Sequence, residues 1–329
     1  MKAGAPLRWL LVAFPLGLLV TVLISVWLSV VDQPDESFDP NEEVRITAAS
    51  IRRKAVNEAD FARDFAILTK TIGPRSPENP QKLEQAAIWI ESMLGGANLG
   101  YRIERDEFIH EGTTYRNIVA ELPGRKLRDE IIVVIVAYDS LANSPKSDAS
   151  ASAVAGMISL AQAYAGDPQG RTIRFVAAME GLVTNDVRSQ NGTSHYLKGC
   201  RSREERIVAI LRIDNLGSQV ESPSPEGFDW VDGMVMQYEG TLSKYWGAAA
   251  VTAFKGEGSA SREVVGLELV RPTDSDAAPP LDTSILTMEE IPVVIVSDSR
   301  YGASPQASFA ETAGDVRGLQ AVLKVWANP

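Results

Sequence analysis

Two residue types that carry much of the metal and nucleophile chemistry of proteins are nearly missing from this chain. Its 329 residues include two histidines, His110 and His195, and one cysteine, Cys200. A single cysteine excludes an internal disulfide, so the fold must stand without a covalent staple, and Cys200 reads as a lone structural thiol. The chain has no G-x-S-x-G, which excludes the nucleophile elbow of the α/β-hydrolases. Ser140 or Ser194 with His195 would be the remaining serine-hydrolase arrangement, but Ser194 adjoins His195 in sequence, which makes a poor relay. Basic charge is in deficit as well: 32 Lys and Arg stand against 43 Asp and Glu, a net −11. A field of that sign disfavours nucleic acid and mostly confers solubility, so no nucleic-acid partner is expected. No repeat of fixed period is present.

What the chain does have is apolar content, 45% of residues, enough for a full core. Part of it is one uninterrupted run. Trp9 to Val31 is 23 residues without a charge. At ~1.5 Å rise per residue it reaches about 34 Å, enough to cross a bilayer with some tilt. It ends in Trp27, Leu28 and Val31 with no small-residue cleavage site, unlike a signal peptide. Lys2 and Arg8 precede it and DQPDE follows, which places the amino terminus in the cytoplasm and the rest of the chain outside, in the periplasm or an extracellular or luminal space. The expected organisation is a cytoplasmic tail at 1–8, a transmembrane signal anchor at 9–31, an acidic Pro-punctuated linker at 32–43 and one domain at 44–329.

Within that domain, helical spacing alternates with short β-rich runs. Helices are expected at Ala59–Lys70, Leu83–Leu94, Ala151–Ala165, Ser194–Lys198, Leu242–Phe254, Ala277–Met288 and Ala313–Trp326. Strands are expected at Tyr115–Leu122, Ile131–Ala137, Thr172–Ala178, Val208–Ile213, Met234–Gln237 and Pro292–Ser297. The run IIVVIV at Ile131–Val136 is apolar on both faces, as a central strand covered by helices must be. The pattern predicts an α/β fold with a mostly parallel central sheet and helices on both faces. Ligands bind such sheets at the carboxyl ends of the strands.

Those ends carry acids. Asp139 follows Ile131–Ala137, with Asp148 a little further on; Glu180 follows Thr172–Ala178, Asp214 follows Val208–Ile213, and Asp298 follows Pro292–Ser297. With these residues goes a series of short motifs in order: IGPRSPEN, YRNIVAELPG, AYDS, SDASASAVAG, RTIRFVAAMEGL, NGTSHYL, RIDNLGS and GASPQAS. Together they resemble the bacterial di-zinc aminopeptidase family, whose relatives include glutaminyl cyclases, glutamate carboxypeptidase, the transferrin receptor and nicastrin. The resemblance runs from about residue 60 to the end.

In that family two zinc ions clamp and activate a water, held by His, Asp and Glu. The resemblance implies that Asp148 stands for the bridging Asp and Asp214 for the later Asp ligand. Asp139 stands for the Asp that orients the first His. Glu180 is the one survivor of paired glutamates, either the catalytic base or the ligand. Both histidine ligands are gone, replaced by Ala137 and Ala303. His195 and His110 fall on positions that are not ligands and read as structural. Three oxygen ligands are too few and too hard for two zincs, and suit at most one structural Ca²⁺ or Mg²⁺. The resemblance thus implies an inactive aminopeptidase-like domain that binds a protein partner or supports a complex, with no cofactor. The alternative is a divergent metallopeptidase or metallohydrolase with a reduced metal site. NGT at Asn191 is also a formal glycosylation sequon.

Overall fold

Strand β3 (Leu127–Ala137) contains the IIVVIV run, and alternate side chains go to two separate cores. Ile132, Val134 and Val136 join the larger core with Phe61, Ile90, Met157, Phe254 and Leu319. Ile131, Val133 and Ile135 join the smaller one with Tyr196, Leu197 and Cys200. Each such fully buried aliphatic side chain stabilises the fold by about 1.5–3 kcal/mol. The computed structural model that shows this describes residues 53–140, 146–181, 191–217, 233–257, 263–268, 291–299 and 308–329. All belong to the second of the two units into which the chain divides, Ala48–Pro329. The tail 1–8, the apolar run 9–31, the linker 32–43 and the expected helix Ala277–Met288 lie outside the described residues. Among the described ones, no helix is long and apolar enough to cross a membrane.

The described strands are β1 (Arg102–His110), β2 (Thr113–Leu122), β3, β4 (Arg171–Ala178), β5 (Arg206–Ile213), β6 (Gly233–Tyr238), β7 (Glu263–Glu268) and β8 (Val293–Ser299). They form one eight-stranded sheet in the order β1-β2-β4-β3-β5-β8-β6-β7. The described helices are α1 (Glu58–Ala66), α2 (Pro80–Leu94), α3 (Lys146–Tyr164), α4 (Gly192–Ser202), α5 (Gly240–Glu257) and α6 (Phe309–Ala327). The larger core gathers α1, α2, α3, α5 and α6 on one face of the sheet, and the smaller gathers α4 on the other. Helices on both faces are therefore present.

The sheet is mixed, where the sequence pattern points to a mostly parallel one. β4, β3, β5 and β8 run parallel in the middle. β2 joins β4 antiparallel, and β6 joins β8 antiparallel. The β1–β2 hairpin has a local cause. Glu111 and Gly112 both take positive φ, 48° and 79°, which makes a two-residue hairpin turn and forces β1 and β2 to run antiparallel. β1 (RIERDEFIH) escapes a periodicity reading because it is a charged sheet edge with burial confined to Phe108 and His110. β7 escapes it because it is six residues with a glycine in the middle.

Helix α1 does not reach Lys70. Its N-cap Asn57 accepts from Asp60 N, but after Ala66 the chain widens into a π-helix, Ile67–Ile72, that ends at Gly73. Arg75 accounts for the widening. Its side chain is fully buried and turns back, so that Nη1 donates to Leu68 O at 2.8 Å and to Gly73 O at 3.0 Å. Nε donates to Tyr138 O at 3.0 Å and Nη2 to Ser150 Oγ at 2.9 Å. Its backbone exchanges two further bonds with Ser140: Arg75 N to Ser140 Oγ at 2.8 Å, and Ser140 N to Arg75 O at 2.6 Å. One guanidinium thus ties the π-helix, the exit of β3 and the first turns of α3. Arg75→Met would leave four buried acceptors without their donor. The expected loss is about 3–5 kcal/mol, read as a lower denaturant midpoint at unchanged slope. A loss below about 1 kcal/mol, the scale of a single ordinary hydrogen bond, would show that the guanidinium does not hold this junction.

Candidate functional site

Because β4, β3, β5 and β8 are adjacent and parallel, their carboxyl ends lie side by side along one edge of the sheet. Ala137, the last residue of β3, is in register with Ala178, the last of β4. Asp139 and Glu180 each follow by two residues. The structure thus brings these expected site residues together, and shows what each carboxylate touches.

Asp139 is buried, and its Oδ1 accepts the N–H of Glu180 at 2.7 Å. The N–H of Gly181 bonds to the same carboxylate, and the Arg75 guanidinium adds a favourable charge. Burial outweighs these donors and raises the Asp139 carboxyl above its ordinary value. Position 181 has to be glycine for this contact, since a Cβ there would lie 2.3 Å from Asp139 Oδ2.

Glu180 points instead at the amino terminus of α4. Its Oε1 accepts from the backbone N–H of Thr193 at 3.2 Å and from the Thr193 hydroxyl. Asn191 caps the same helix, taking Ser194 N on Oδ1 at 2.8 Å. A carboxylate in this place satisfies a first-turn N–H and meets the positive end of the helix dipole, worth about 0.3–1 kcal/mol. Asp214 has a different partner. Its Oδ1 accepts from Arg212 Nε at 2.6 Å, with both side chains largely buried. On the neighbouring strand, Asn215 Oδ1 accepts the N–H of Asp298 at 2.8 Å.

Of the remaining expected site positions, Ala303 and the side chain of Asp148 lie outside the described residues. Ala137 supplies no ligand atom. His195 faces away from the strand ends: its Nε2 lies 3.3 Å from Asp106 Oδ1 and its ring stacks on Phe108, centroids 5.0 Å apart. His110 is buried at the end of β1. Ser140 Oγ accepts from Arg75 N, and His195 is directed at Asp106 and Phe108, so no hydrogen bond among the described residues joins His195 to Ser140 or Ser194. Cys200 is fully buried, and burial, with the Glu205 carboxylate beside it, pushes its thiol up to about 12, as suits a structural residue. Among the described residues, no group of three or more His, Cys, Asp and Glu could hold a metal ion. Among the described residues, Glu180 Oε1 and Asp214 Oδ1 are both engaged by the protein itself, and position 137, which the resemblance aligns with a histidine ligand, is alanine.

Residues that the strand-end reading passes over do much of the positioning. Asn117 on β2 is fully buried; its Oδ1 accepts Met179 N at 3.1 Å, and its Nδ2 donates to Gly192 O and Asp106 Oδ2, each at 2.8 Å. It locks the exit of β4 to the start of α4. Asn117, Asn215 and Arg75 all lie within the motifs YRNIVAELPG, RIDNLGS and IGPRSPEN, so their motifs were visible though their roles were not.

An eight-stranded mixed sheet flanked by helices, with acids at the ends of its parallel strands, defines a zinc-aminopeptidase-like fold. A family model, peptidase family M28, matches residues 117–290, and the chain belongs to that family. Among solved structures it is similar to BSAP, a zinc aminopeptidase from Bacillus subtilis, at 12% identity and TM-score 0.60, over 84% of this chain and 97% of that one. The Fimbriiglobus ruber glutaminyl cyclase is similar at 17% identity and TM-score 0.59, over 83% and 97%. A Zn-dependent exopeptidase from Parabacteroides distasonis is similar at 17% and TM-score 0.56, over 84% and 100%. At these identities the likeness establishes the fold. No curated protein matches the chain.

The Asp139–Gly181 contact generates a double-mutant test. Gly181→Ala alone should cost about 1–3 kcal/mol, because the new methyl displaces a buried carboxylate. In an Asp139→Ala background the added cost of Gly181→Ala should fall to a few tenths of a kcal/mol, which makes the pair strongly non-additive. Equal costs in both backgrounds, measured by chemical denaturation, would show that the two residues are not in contact.

Proposed function

We propose that this chain is a catalytically inactive, membrane-anchored member of peptidase family M28 whose outer domain works as a binding or scaffold subunit outside the cytoplasm. The observation that carries the reading is that three of the strand-end acids bond to the protein's own groups. Asp139 sits on two peptide N–H groups, Glu180 on the amino terminus of α4, and Asp214 on Arg212. Carboxylates that serve as zinc ligands must direct their oxygens at the metal, and zinc in such sites is completed by imidazole. Here Ala137 stands at one imidazole position and Ala303 at the other. What remains is a peptidase-shaped surface whose acids are used to hold the frame together.

Metal content tests this directly. The full chain, purified in mild detergent and dialysed against a trace of free metal, should hold well under one zinc per chain, and a chelator should leave its melting temperature unchanged. Two tightly held zincs, or a melt that a chelator lowers, would overturn the reading and favour a divergent metallohydrolase.

The anchor rests on the charge-free run from Trp9 to Val31 with Lys2 and Arg8 before it. Protease added outside intact cells or spheroplasts should digest the domain and spare a tag at the amino terminus. A soluble mature form beginning near Asp32 would mean that the run is removed as a signal instead.

A further inference from the structure

Among the described residues β1 ends the sheet, bonded to β2 on one side only. An open edge of nine residues is a template for another strand, and proteins usually blunt such edges with repelling charge. β1 carries charge, but in an order that does not repel its own copy. The two-residue turn closes on the pair His110–Thr113, and in such a hairpin the closing pair is hydrogen-bonded. Counting back in twos, Phe108, Asp106, Glu104 and Arg102 bond to β2. The peptide groups of Ile103, Arg105, Glu107 and Ile109 therefore face the open side.

Those same four residues read Ile-Arg-Glu-Ile, a palindrome of chemistry. Laid antiparallel on a second β1 about Asp106, Ile103 comes opposite the partner's Ile109 and Arg105 opposite the partner's Glu107, and each pair occurs twice. A shift of the centre by one residue, to Arg105, sets arginine against arginine and Ile103 against Glu107. Charge complementarity thus selects a single register.

The side chains are disposed to suit it. Ile109 is 70% exposed although it belongs to a strand. Beside Ile103, between β1 and α2, lies an open groove of about 600 Å³ lined by Ile88, Glu91, Ser92, Ile103 and Arg105, and Ile88 is itself 53% exposed. In the antiparallel register the partner's Ile109 stands across from Ile103, at the mouth of that groove. Arg105 is already oriented, with Nε and Nη2 on the two oxygens of Glu91 at 3.0 and 2.7 Å, which leaves Nη1 for a carboxylate across the strand. The one like-charged pair, Asp106 against itself on the axis, is eased from within each copy by His195 and Asn117.

We propose that two copies of this chain associate through β1, antiparallel and centred on Asp106, to make one continuous sheet with Ile109 of each copy at the groove of the other. The pairing is independent of whether the strand ends hold a metal.

Sedimentation of the full chain in mild detergent, at micromolar concentration, should show a dimer. Ile109→Asp should weaken dimerisation by about tenfold or more, since it buries a charge twice and removes two aliphatic cross-strand pairs. As that side chain is exposed in the single copy, the melting temperature should stay the same. A nitroxide on Arg102→Cys fixes the register: positions 102 of the two copies would be eight residues apart along the strand, about 27 Å. Cys200, fully buried, should stay unlabelled, which the parent chain controls. A monomeric chain, a dimer that survives Ile109→Asp, a label distance far from that value, or an edge that takes up only an unrelated extended peptide would each overturn the proposal.

Discussion

The fully buried guanidinium of Arg75 sits where three pieces of this fold have to agree. Its charge is spread over backbone carbonyls of the π-helix and of β3's exit and over the Ser150 hydroxyl at the start of α3. Burying a guanidinium is costly unless nearly every N–H finds an acceptor, and that requirement dictates the backbone around it. The π-helix is one result, since widening the turn frees Leu68 O to receive both Gly73 N and Arg75 Nη1. The placement of Tyr138–Ser140 is another, and with it the position of Asp139.

From that point a chain of contacts runs across the strand ends. Asp139 holds the peptide of Glu180; Glu180 holds the first turn of α4; Asn117 joins the exit of β4 to the same helix from below. In a metal-bound site, acids like these are held apart by ligation and their charge is cancelled by the ion. Here peptide N–H groups, a helix terminus and an arginine offset part of the cost of that charge, and at Asp139 burial still outweighs them. The carboxylates at this sheet edge are thus positioned in part by the protein's own donors.

At the strand ends Asp139, Glu180 and Asp214 each bond to the protein itself, and the middle of the sheet is covered on both faces. The open side of β1 is different, because among the described residues its outward peptide groups have no strand beside them in the sheet and Ile109 projects into solvent.

Much of this was legible in the residues. Ile131–Val136 declares a strand buried on both faces, because nothing polar interrupts it; the acids stand immediately after apolar runs; and the absence of histidine at 137 and 303 needs no coordinates. Sequence alone thereby determined the family resemblance and the α/β class. It did not reveal β1, whose charged alternation lacks a buried stripe, nor the antiparallel joins of β2 to β4 and of β6 to β8, which rest on long-range pairing. Nor did it say that Glu180 would meet Thr193 or that Arg75 would be buried, because such contacts join residues 13 and 75 positions apart. Only the tertiary structure decides which donor lies nearest a given carboxylate, since hydrogen bonds and desolvation act over a few ångströms and local sequence pattern does not encode distances between remote segments.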